Sequence, residues 1–351
     1  MNPRRPFARP LAAVLLFAAL AGPAAARGGP ARDPRLSTAT GPLVEGSRLL
    51  PGGMLAVTAA ARGTLEPERA PAAIEAALDS AAWLEPVFAA EGEGELARLN
   101  RLAAAERFAC SPDLYAALEA AVALAAATDG AYDPTAGPLA RLWRQAGGEV
   151  GPDDLALADA RQLVGWRLLL LEPGGRTARL RRPGTELTLD GLAAGLVMQR
   201  AAAALRGRGI ARARLELAGE TTTFTNHEAW SVAVPHPDAA RGVAARLRVS
   251  NAAVATAGGG ADAALFDPRT GRRPAGEGSV TVVTAPAPGA LALARALRVL
   301  GREGAADYAR RHPGVGVLWL ERTTDGVRAW AWNLAAVAGE PGLRIEWQEA
   351  P

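Results

Sequence analysis

The chain has 351 residues and a formal net charge of +3, from 39 basic and 36 acidic residues. Removing Arg4, Arg5 and Arg9, which precede an apolar run from Leu11 to Leu20, leaves 36 arginines against 36 acids, with no lysine in the chain. This balanced, scattered charge excludes the basic stripe that nucleic-acid binding requires, and the single cysteine, Cys110, excludes an internal disulfide and a cysteine-rich metal site.

An export signal is predicted over residues 1–26. The basic stretch and the apolar run are followed by small residues from Ala24 to Ala26, so the mature chain is expected to begin near Arg27. The apolar run is shorter than the roughly 20 residues that a membrane-spanning helix needs. Because residues 4–7 resemble a twin-arginine core, both the Sec and the twin-arginine routes stay open. We expect a periplasmic protein with no stable membrane anchor.

Residues 27–50 are rich in Gly, Pro and Ser without a helical or strand period, and they are predicted to be a flexible lead-in. Residues 51–351 are predicted to form one folded domain that starts near Gly53. Cys110 is predicted to be a small buried hydrophobe. Ser111-Pro112-Asp113 supplies an N-cap, a first-turn proline and a first-turn acid. Apolar spacing and end signals predict helices over Pro71–Phe88, Leu114–Ala127, Leu192–Leu205 and Gly289–Leu300.

Strands are predicted where β-branched residues cluster or where apolar and polar residues alternate. The last two strands flank Asp325-Gly326, a strong hairpin signal. The six predicted strands are Ala213–Leu217, Trp230–Val234, Ala244–Val249, Ser279–Thr284, Val315–Glu321 and Val327–Trp332. The order of these elements indicates an α+β fold.

The common catalytic arrangements are absent from the sequence. The chain has three histidines, His227, His236 and His312, and none lies near a second ligand at metal spacing, which argues against a zinc or Ser-His-Asp enzyme. The glycines at 258–260 lack the flanking strand, helix and lysine of a phosphate loop, and are predicted to form a flexible turn.

A series of short segments nevertheless resembles one known family in a fixed order. The most specific segment runs from Thr128 to Leu139, reads TDGAYDPTAGPL, and is similar to the family's Gly-Ala-Phe-Asp-Pro-Thr signature. The other segments are Leu96–Arg101, Leu189–Gly195, Leu217–Glu220, Trp230–Val234, Ala253–Gly258, Asp267–Gly271 and Ser279–Val283. The chain thereby resembles the ApbE-type flavin transferases of the bacterial periplasm.

The resemblance implies an ApbE-like (T-fold-like) fold with a mixed sheet and packed helices. Members of that family split FAD at its pyrophosphate and attach the FMN half to a Thr or Ser of an acceptor protein, using bound Mg²⁺. FAD and an exported acceptor protein are therefore the expected partners. The matching cofactor-binding positions are Met54, Ala131, Tyr132, Asp133, Thr188, Asp190, Ala194, Gly219, Glu220, Thr256, Gly258, Asp267, Thr270 and Arg295. For Tyr132 and Asp133 the alternative is structural, a packed ring and a turn cap.

The sequence departs from the family pattern at the implied metal site. The family supplies an Asp and a Thr one helical turn apart, and Leu291 and Arg295 stand at those positions, with only the backbone of Gly191 left as a ligand. Neither side chain offers an oxygen, so we expect this magnesium site to be absent. Four further positions carry residues outside the family pattern: Ala90, Thr188, Ala194 and Ala264.

Because burying an unpaired arginine is costly, the guanidinium of Arg295 has three possible placements. It faces solvent, pairs with an acid such as Asp190 or Asp267, or meets the pyrophosphate of a bound nucleotide. At the level of function the hypotheses are an FMN transferase with rearranged ligands, a flavin-binding or scaffold protein that has lost the reaction, and a FAD pyrophosphatase.

Overall fold

The computed structural model describes residues 43–60, 69–147, 151–225, 228–259, 265–286, 288–324, 326–334, 337–339 and 343–347. The predicted signal, most of the predicted lead-in, His227, Gly260, Ala264 and Asp325 lie outside the described residues. The described residues belong to one compact unit, 41–351. Within these ranges, no helix has the length and apolar character that crossing a bilayer would take.

Helices and strands are interspersed along the described part of the chain. Its helices are α1 (Arg69–Leu84), α2 (Glu95–Leu102), α3 (Pro112–Ala127), α4 (Gly137–Gln145), α5 (Asp154–Arg161), α6 (Ala193–Gly207) and α7 (Ala290–Arg311). Its strands are β1 (Leu43–Leu50), β2 (Gly53–Ala60), β3 (Phe108–Ala109), β4 (Leu169–Glu172), β5 (Thr177–Leu180), β6 (Arg212–Leu217), β7 (Glu220–Thr225), β8 (Trp230–Pro235), β9 (Val243–Val249), β10 (Ala253–Gly258), β11 (Gly278–Thr284), β12 (Gly316–Thr323), β13 (Gly326–Trp332), β14 (Val337–Gly339) and β15 (Leu343–Trp347).

A nine-stranded sheet forms the centre, in the order β1-β2-β6-β7-β10-β11-β12-β13-β15. All of its pairings are antiparallel except β13 with β15, so the sheet is mixed. Two three-stranded sheets, β14-β9-β8 and β3-β5-β4, complete the described strands. The predicted α+β class with a mixed sheet and packed helices is confirmed.

The two larger hydrophobic clusters of the described residues form the cores around the central sheet. In the larger core α1 packs along α6, and α7 lies across β10 and β11, burying side chains such as Leu78, Met198 and Leu297. The smaller core lies between β8–β9 and the strands β10, β12 and β13, around Val234 and Leu320. The start of α7 therefore lies over the middle of the central sheet, where the residues of the candidate site converge.

The predicted start of the fold was wrong. Residues 43–50, assigned to the flexible lead-in, form β1, which pairs with β2 from Leu43 opposite Ala60 to Leu50 opposite Gly53. The strand was missed because it lies at an edge of the sheet and buries only Leu50, so its exposed positions show no apolar run.

One predicted helix start is confirmed, and two predicted helix ends differ from the structure. Ser111 caps α3 by accepting a hydrogen bond from Leu114 N–H at 3.2 Å, as predicted. The helix predicted to reach Phe88 becomes a 3₁₀ turn after Leu84, where Pro86 lacks the N–H that α-helix needs. The predicted end of α7 at Leu300 is followed by Gly301, whose φ of 76° and ψ of 177° break the helix before a second helical stretch ends at Arg311.

Candidate functional site

A left-handed turn at the end of α3 aims the signature segment into the core. Thr128 donates its hydroxyl to Leu124 O at 2.8 Å and accepts Tyr132 N–H at 3.2 Å. Asp129 and Gly130 have φ values of 49° and 74°, and Gly130 N–H returns to Ala125 O at 2.9 Å. Because this turn reverses the chain, the residues after it, Ala131, Tyr132 and Asp133, are all buried.

Asp133 uses both carboxylate oxygens inside the protein. Oδ1 accepts the Thr135 N–H at 2.8 Å and the Thr135 hydroxyl at 2.6 Å, and Oδ2 accepts Trp166 N–H at 2.8 Å. Thr135 in turn accepts Gly165 N–H at 2.7 Å. Burial raises the pKa of Asp133, and these hydrogen bonds partly counteract the rise. The turn cap that sequence offered as the alternative reading of Asp133 is present, and it also holds a second loop 33 residues away.

The segment before α6 runs beside this loop. Thr188 N–H donates to Pro134 O at 2.7 Å, and Gly137 N–H donates to Glu186 O at 3.1 Å. Asn100, in the Leu-Asn element of α2, holds the same segment by donating to Leu187 O at 3.0 Å and accepting Leu187 N–H at 2.7 Å. The three family-like segments thereby become one connected group of loops.

The 188–192 loop meets the first turn of α7. Gly191 has a φ of 79°, and its carbonyl accepts Ala292 N–H at 3.1 Å. A Cβ on Gly191 would lie 3.1 Å from the Cα of Ala292, so only glycine allows this approach. The Thr188 hydroxyl accepts Asp190 N–H at 3.2 Å, which fixes the loop that carries Asp190.

Asp190 and Arg295 form an ion pair, with 2.8 Å between Oδ2 and Nη1. The Asp190 side chain is 71% exposed, whereas that of Arg295 is 28% exposed. Tyr132 lies close enough for both charges to act on it: burial is the main cause of its raised pKa, Asp190 and Asp133 raise it further, and Arg295 lowers it. The Tyr132 hydroxyl is buried without a hydrogen-bond partner among the described residues. Of the three placements considered for Arg295, the structure shows the pair with Asp190.

Glu220 approaches the start of α7 from β7. The turn before it is a two-residue hairpin with positive φ at Ala218 (51°) and Gly219 (82°). Glu220 is 1% exposed; Oε2 accepts Leu291 N–H at 3.2 Å, and Oε1 has no partner within the described part of the chain. Burial raises the pKa of this carboxyl to about 8.

Ala194 and Gly195 bring α6 against the same place. Ala194 is buried, and a Cβ on Gly195 would lie 2.9 Å from both Glu220 Oε1 and Gly289 N. Met54 lies at the edge of the site. Ala56 of β2 pairs with Glu216 of β6, and Met54, two residues before Ala56 on β2, therefore lies beside the β6–β7 turn. Its side chain is 53% exposed, which leaves an apolar surface there.

The remaining predicted residues lie on β10 and on the turn before β11. Thr256 shares a 2.8 Å hydrogen bond with Thr281, so its hydroxyl is held within the sheet. Asp267 forms its ion pair with Arg269 at 2.9 Å, while Thr270 accepts Arg272 N–H at 3.2 Å. Arg269 lies beside Gly130: a Cβ atom at Gly130 would be 3.7 Å from the Arg269 Cγ. The turn before β11 is therefore next to the signature segment.

Three structural residues were missed from the sequence. Asn100 and Trp166 hold the loops described above, and Arg298 is a buried arginine on α7. Arg298 donates to Gly278 O and Ala275 O, each at 3.1 Å, and to Gly276 O, and so holds the segment that leads into β11 next to Gly258. The one feature of the sequence that could have indicated Arg298 is its position about one turn after Arg295 in the otherwise apolar first half of α7.

The magnesium ion implied by the family resemblance does not fit the residues present. Leu291 is 4% exposed and apolar, Arg295 places a positive charge at the second ligand position, and the Gly191 carbonyl accepts a backbone hydrogen bond. Within the described ranges, no three His, Cys, Asp or Glu side chains group as metal ligands. Because Mg²⁺ requires about six oxygen ligands in near-octahedral geometry, this set does not supply its site.

Comparison with known proteins gives a consistent result. The sequence model of the ApbE family matches residues 55–319, which include the signature segment, Asp190, Glu220 and the start of α7. The chain is 30% identical over 257 residues to the FAD:protein FMN transferase of Vibrio cholerae serotype O1, covering 68% of this chain and 76% of that protein. It is 25% identical over 278 residues to the FAD:protein FMN transferase of Salmonella typhimurium, covering 73% of this chain and 78% of that protein. The solved structure of flavin transferase ApbE from Vibrio cholerae superposes with a TM-score of 0.70 at 25% identity, over 83% of this chain and 98% of that chain.

Proposed function

The chain belongs to the ApbE family, and we propose that it is a FAD:protein FMN transferase. In this reaction a Thr or Ser hydroxyl of an acceptor protein attacks the phosphorus on the FMN side of the FAD pyrophosphate. The new bond joins that oxygen to FMN, the bond to the bridging oxygen breaks, AMP leaves, and the hydroxyl proton is released. The observation that carries the proposal is the convergence of Glu220 and the 188–195 segment on the start of α7, with the signature segment hydrogen-bonded to Thr188.

This convergence suits a pyrophosphate because negative charge has to be stabilised while the bond breaks. Arg295 contributes a positive charge that Asp190 orients, and the charges of both residues act on the pKa of the buried Tyr132 hydroxyl. Gly191, with its positive φ, allows backbone to approach closely where a side chain would interfere. Thr256, Gly258, Asp267 and Thr270 belong to this proposal as flavin- or adenine-side contacts, and Met54 as an exposed apolar contact.

The test is to incubate the purified protein with FAD and an acceptor peptide containing Thr and Ser, then to follow peptide mass and AMP together. A transferase yields AMP and an FMN-modified peptide in equal amounts. AMP and free FMN without a modified peptide indicate a FAD pyrophosphatase. FAD binding with neither product indicates a protein that keeps the fold as a flavin carrier or scaffold.

We further propose that the protein works in the periplasm on an exported acceptor. Support comes from the order of basic, apolar and small residues within 1–26. The expected intact mass of periplasmic material corresponds to a chain starting near Arg27. A retained signal, or partition of the protein into detergent, would count against this placement.

A further inference from the structure

The ion pair between Arg295 and Asp190 lies where the family resemblance places a metal. We propose that the Arg295 guanidinium supplies the positive charge of the nucleotide-phosphate subsite, so that FAD binds without a divalent cation. This inference rests on the proposed function in one respect, that FAD is the ligand. It goes beyond that function because it assigns the phosphate contact and removes the metal requirement.

The burial of the pair supports this assignment. The Arg295 side chain is 28% exposed, which restricts the directions its guanidinium can take, while its partner Asp190 is 71% exposed. A pair with one well-solvated member is weak, on the order of 0–1 kcal/mol. An entering pyrophosphate, with two negative charges, can therefore compete with the Asp190 carboxylate for the guanidinium.

The chemistry of the guanidinium matches the ligand. Its five N–H donors form a planar fork that fits phosphate oxygens, and it remains charged at any physiological pH. The Tyr132 hydroxyl is buried without a hydrogen-bond partner among the described residues, and the charges of Asp190 and Arg295 both act on its pKa. Leu291, one turn earlier on α7, closes the neighbouring position with an apolar side chain.

Asp190 then has a defined role. It neutralises and orients Arg295 when no nucleotide is bound, and it competes with phosphate when one arrives. Removing its charge should strengthen FAD binding, whereas removing the charge of Arg295 should weaken it. Opposite signs from the two members of one ion pair would not follow if the pair only stabilised the fold.

The experiment measures the affinity of the intact protein for FAD and for riboflavin, which lacks phosphates, with a chelator and with excess Mg²⁺. For the wild type we expect equal FAD affinity in both conditions. Arg295→Leu should bind FAD at least tenfold more weakly and riboflavin with unchanged affinity, and Asp190→Asn should bind FAD more tightly than the wild type. Arg295→Gln serves if the leucine variant does not fold, and Arg302→Leu, an exposed arginine further along α7, is the matched control.

A reciprocal variant tests the metal directly. The double substitution Leu291→Asp with Arg295→Thr restores the family ligand types, and its FAD affinity should become dependent on Mg²⁺. Magnesium-dependent FAD binding in the wild type, or unchanged FAD affinity in Arg295→Leu and Arg295→Gln, overturns the inference. Arg295-dependent FAD binding without FMN transfer leaves the inference standing and overturns the proposed function. Absence of FAD binding in every condition overturns both.

Discussion

At the scale of single residues, Asp133 should affect both the stability of the protein and the proposed binding of FAD. Its buried carboxylate accepts three hydrogen bonds from Thr135 and Trp166. Asp133→Ala leaves those donors without partners, at about 1–3 kcal/mol for each buried group. We expect at least about 3 kcal/mol loss in the free energy of unfolding, measured by urea denaturation, together with at least a tenfold loss of FAD affinity, about 1.4 kcal/mol.

Two other variants separate this effect from a general loss of charge. Asp133→Asn keeps an oxygen for Thr135 but places an NH₂ group against Trp166 N–H, so it should be intermediate. Asp154→Ala removes an exposed carboxylate paired with Arg272, and should change stability by less than about 1 kcal/mol. Equal stabilities of Asp133→Ala and Asp154→Ala would contradict the structural role of Asp133.

Glu220 should make stability depend on pH. Burial raises its pKa from the ordinary value of 4.5 to about 8, so the native protein retains a proton that the unfolded chain has released over that interval. The contribution of Glu220 to the free energy of unfolding is therefore fully present below pH 4.5. It is lost as pH rises from 4.5 to about 8, and above that pH the free energy of unfolding no longer depends on this group. The slope is up to about 1.4 kcal/mol per pH unit.

Glu220→Gln should remove this dependence, because a neutral amide keeps an oxygen acceptor for Leu291 N–H. We expect unfolding curves to show the variant gaining on the wild type as pH increases from 5 to 8, in the range set by the pKa. Glu106→Gln, at an exposed position, is the control and should track the wild type. Parallel pH profiles for Glu220→Gln and the wild type would refute the shifted pKa.

At the scale of elements, α6 makes a close contact at Gly195 with the residues that lead into α7. A methyl group at Gly195 would lie 2.9 Å from Gly289 N and 3.0 Å from Pro288 Cα, both backbone atoms with little freedom to move. Gly195→Ala should therefore cost about 1–3 kcal/mol through overpacking, despite the better helix propensity of alanine. The measurement is the midpoint of thermal or urea unfolding.

The same helix provides the control. Gly207 ends α6, and a methyl group there would meet no heavy atom within 4 Å. Gly207→Ala should be neutral or stabilising by up to about 1 kcal/mol, as expected for glycine replacement in an uncrowded helix. If both substitutions change the unfolding midpoint by the same amount, the close contact with Pro288 and Gly289 is not what limits position 195.

At the scale of the whole molecule, β1 adds an edge strand to the central sheet that the sequence did not predict. It pairs with β2 over eight residues, buries Leu50 in the main core, and brings Gly46 against Ile74 of α1. A chain starting at Pro51 should unfold at lower urea concentration than one starting at Arg27, with a smaller m-value because less surface is buried. It should also aggregate more readily, because β2 becomes an edge strand. Identical midpoints and m-values would show that β1 contributes nothing to stability.

Local signals in the sequence were sufficient for several features. Ser111 and Pro112 marked the start of α3, apolar spacing located α6, and the residues around Gly326 located the β12–β13 hairpin. Each of these depends on neighbours within one or two turns of the chain, where side-chain period and capping act directly. The order of family-like segments identified the ApbE family, because each short segment is readable without knowing its contacts.

Only the tertiary structure decided how those segments meet. The contact of Glu220 with Leu291 spans 71 residues, and that of Asp133 with Trp166 spans 33. The choice of Asp190 as the partner of Arg295 likewise depends on how a loop before α6 approaches α7. Such contacts are set by strand register, helix packing and burial acting together, and no periodicity along the chain encodes which distant groups are brought within hydrogen-bond distance.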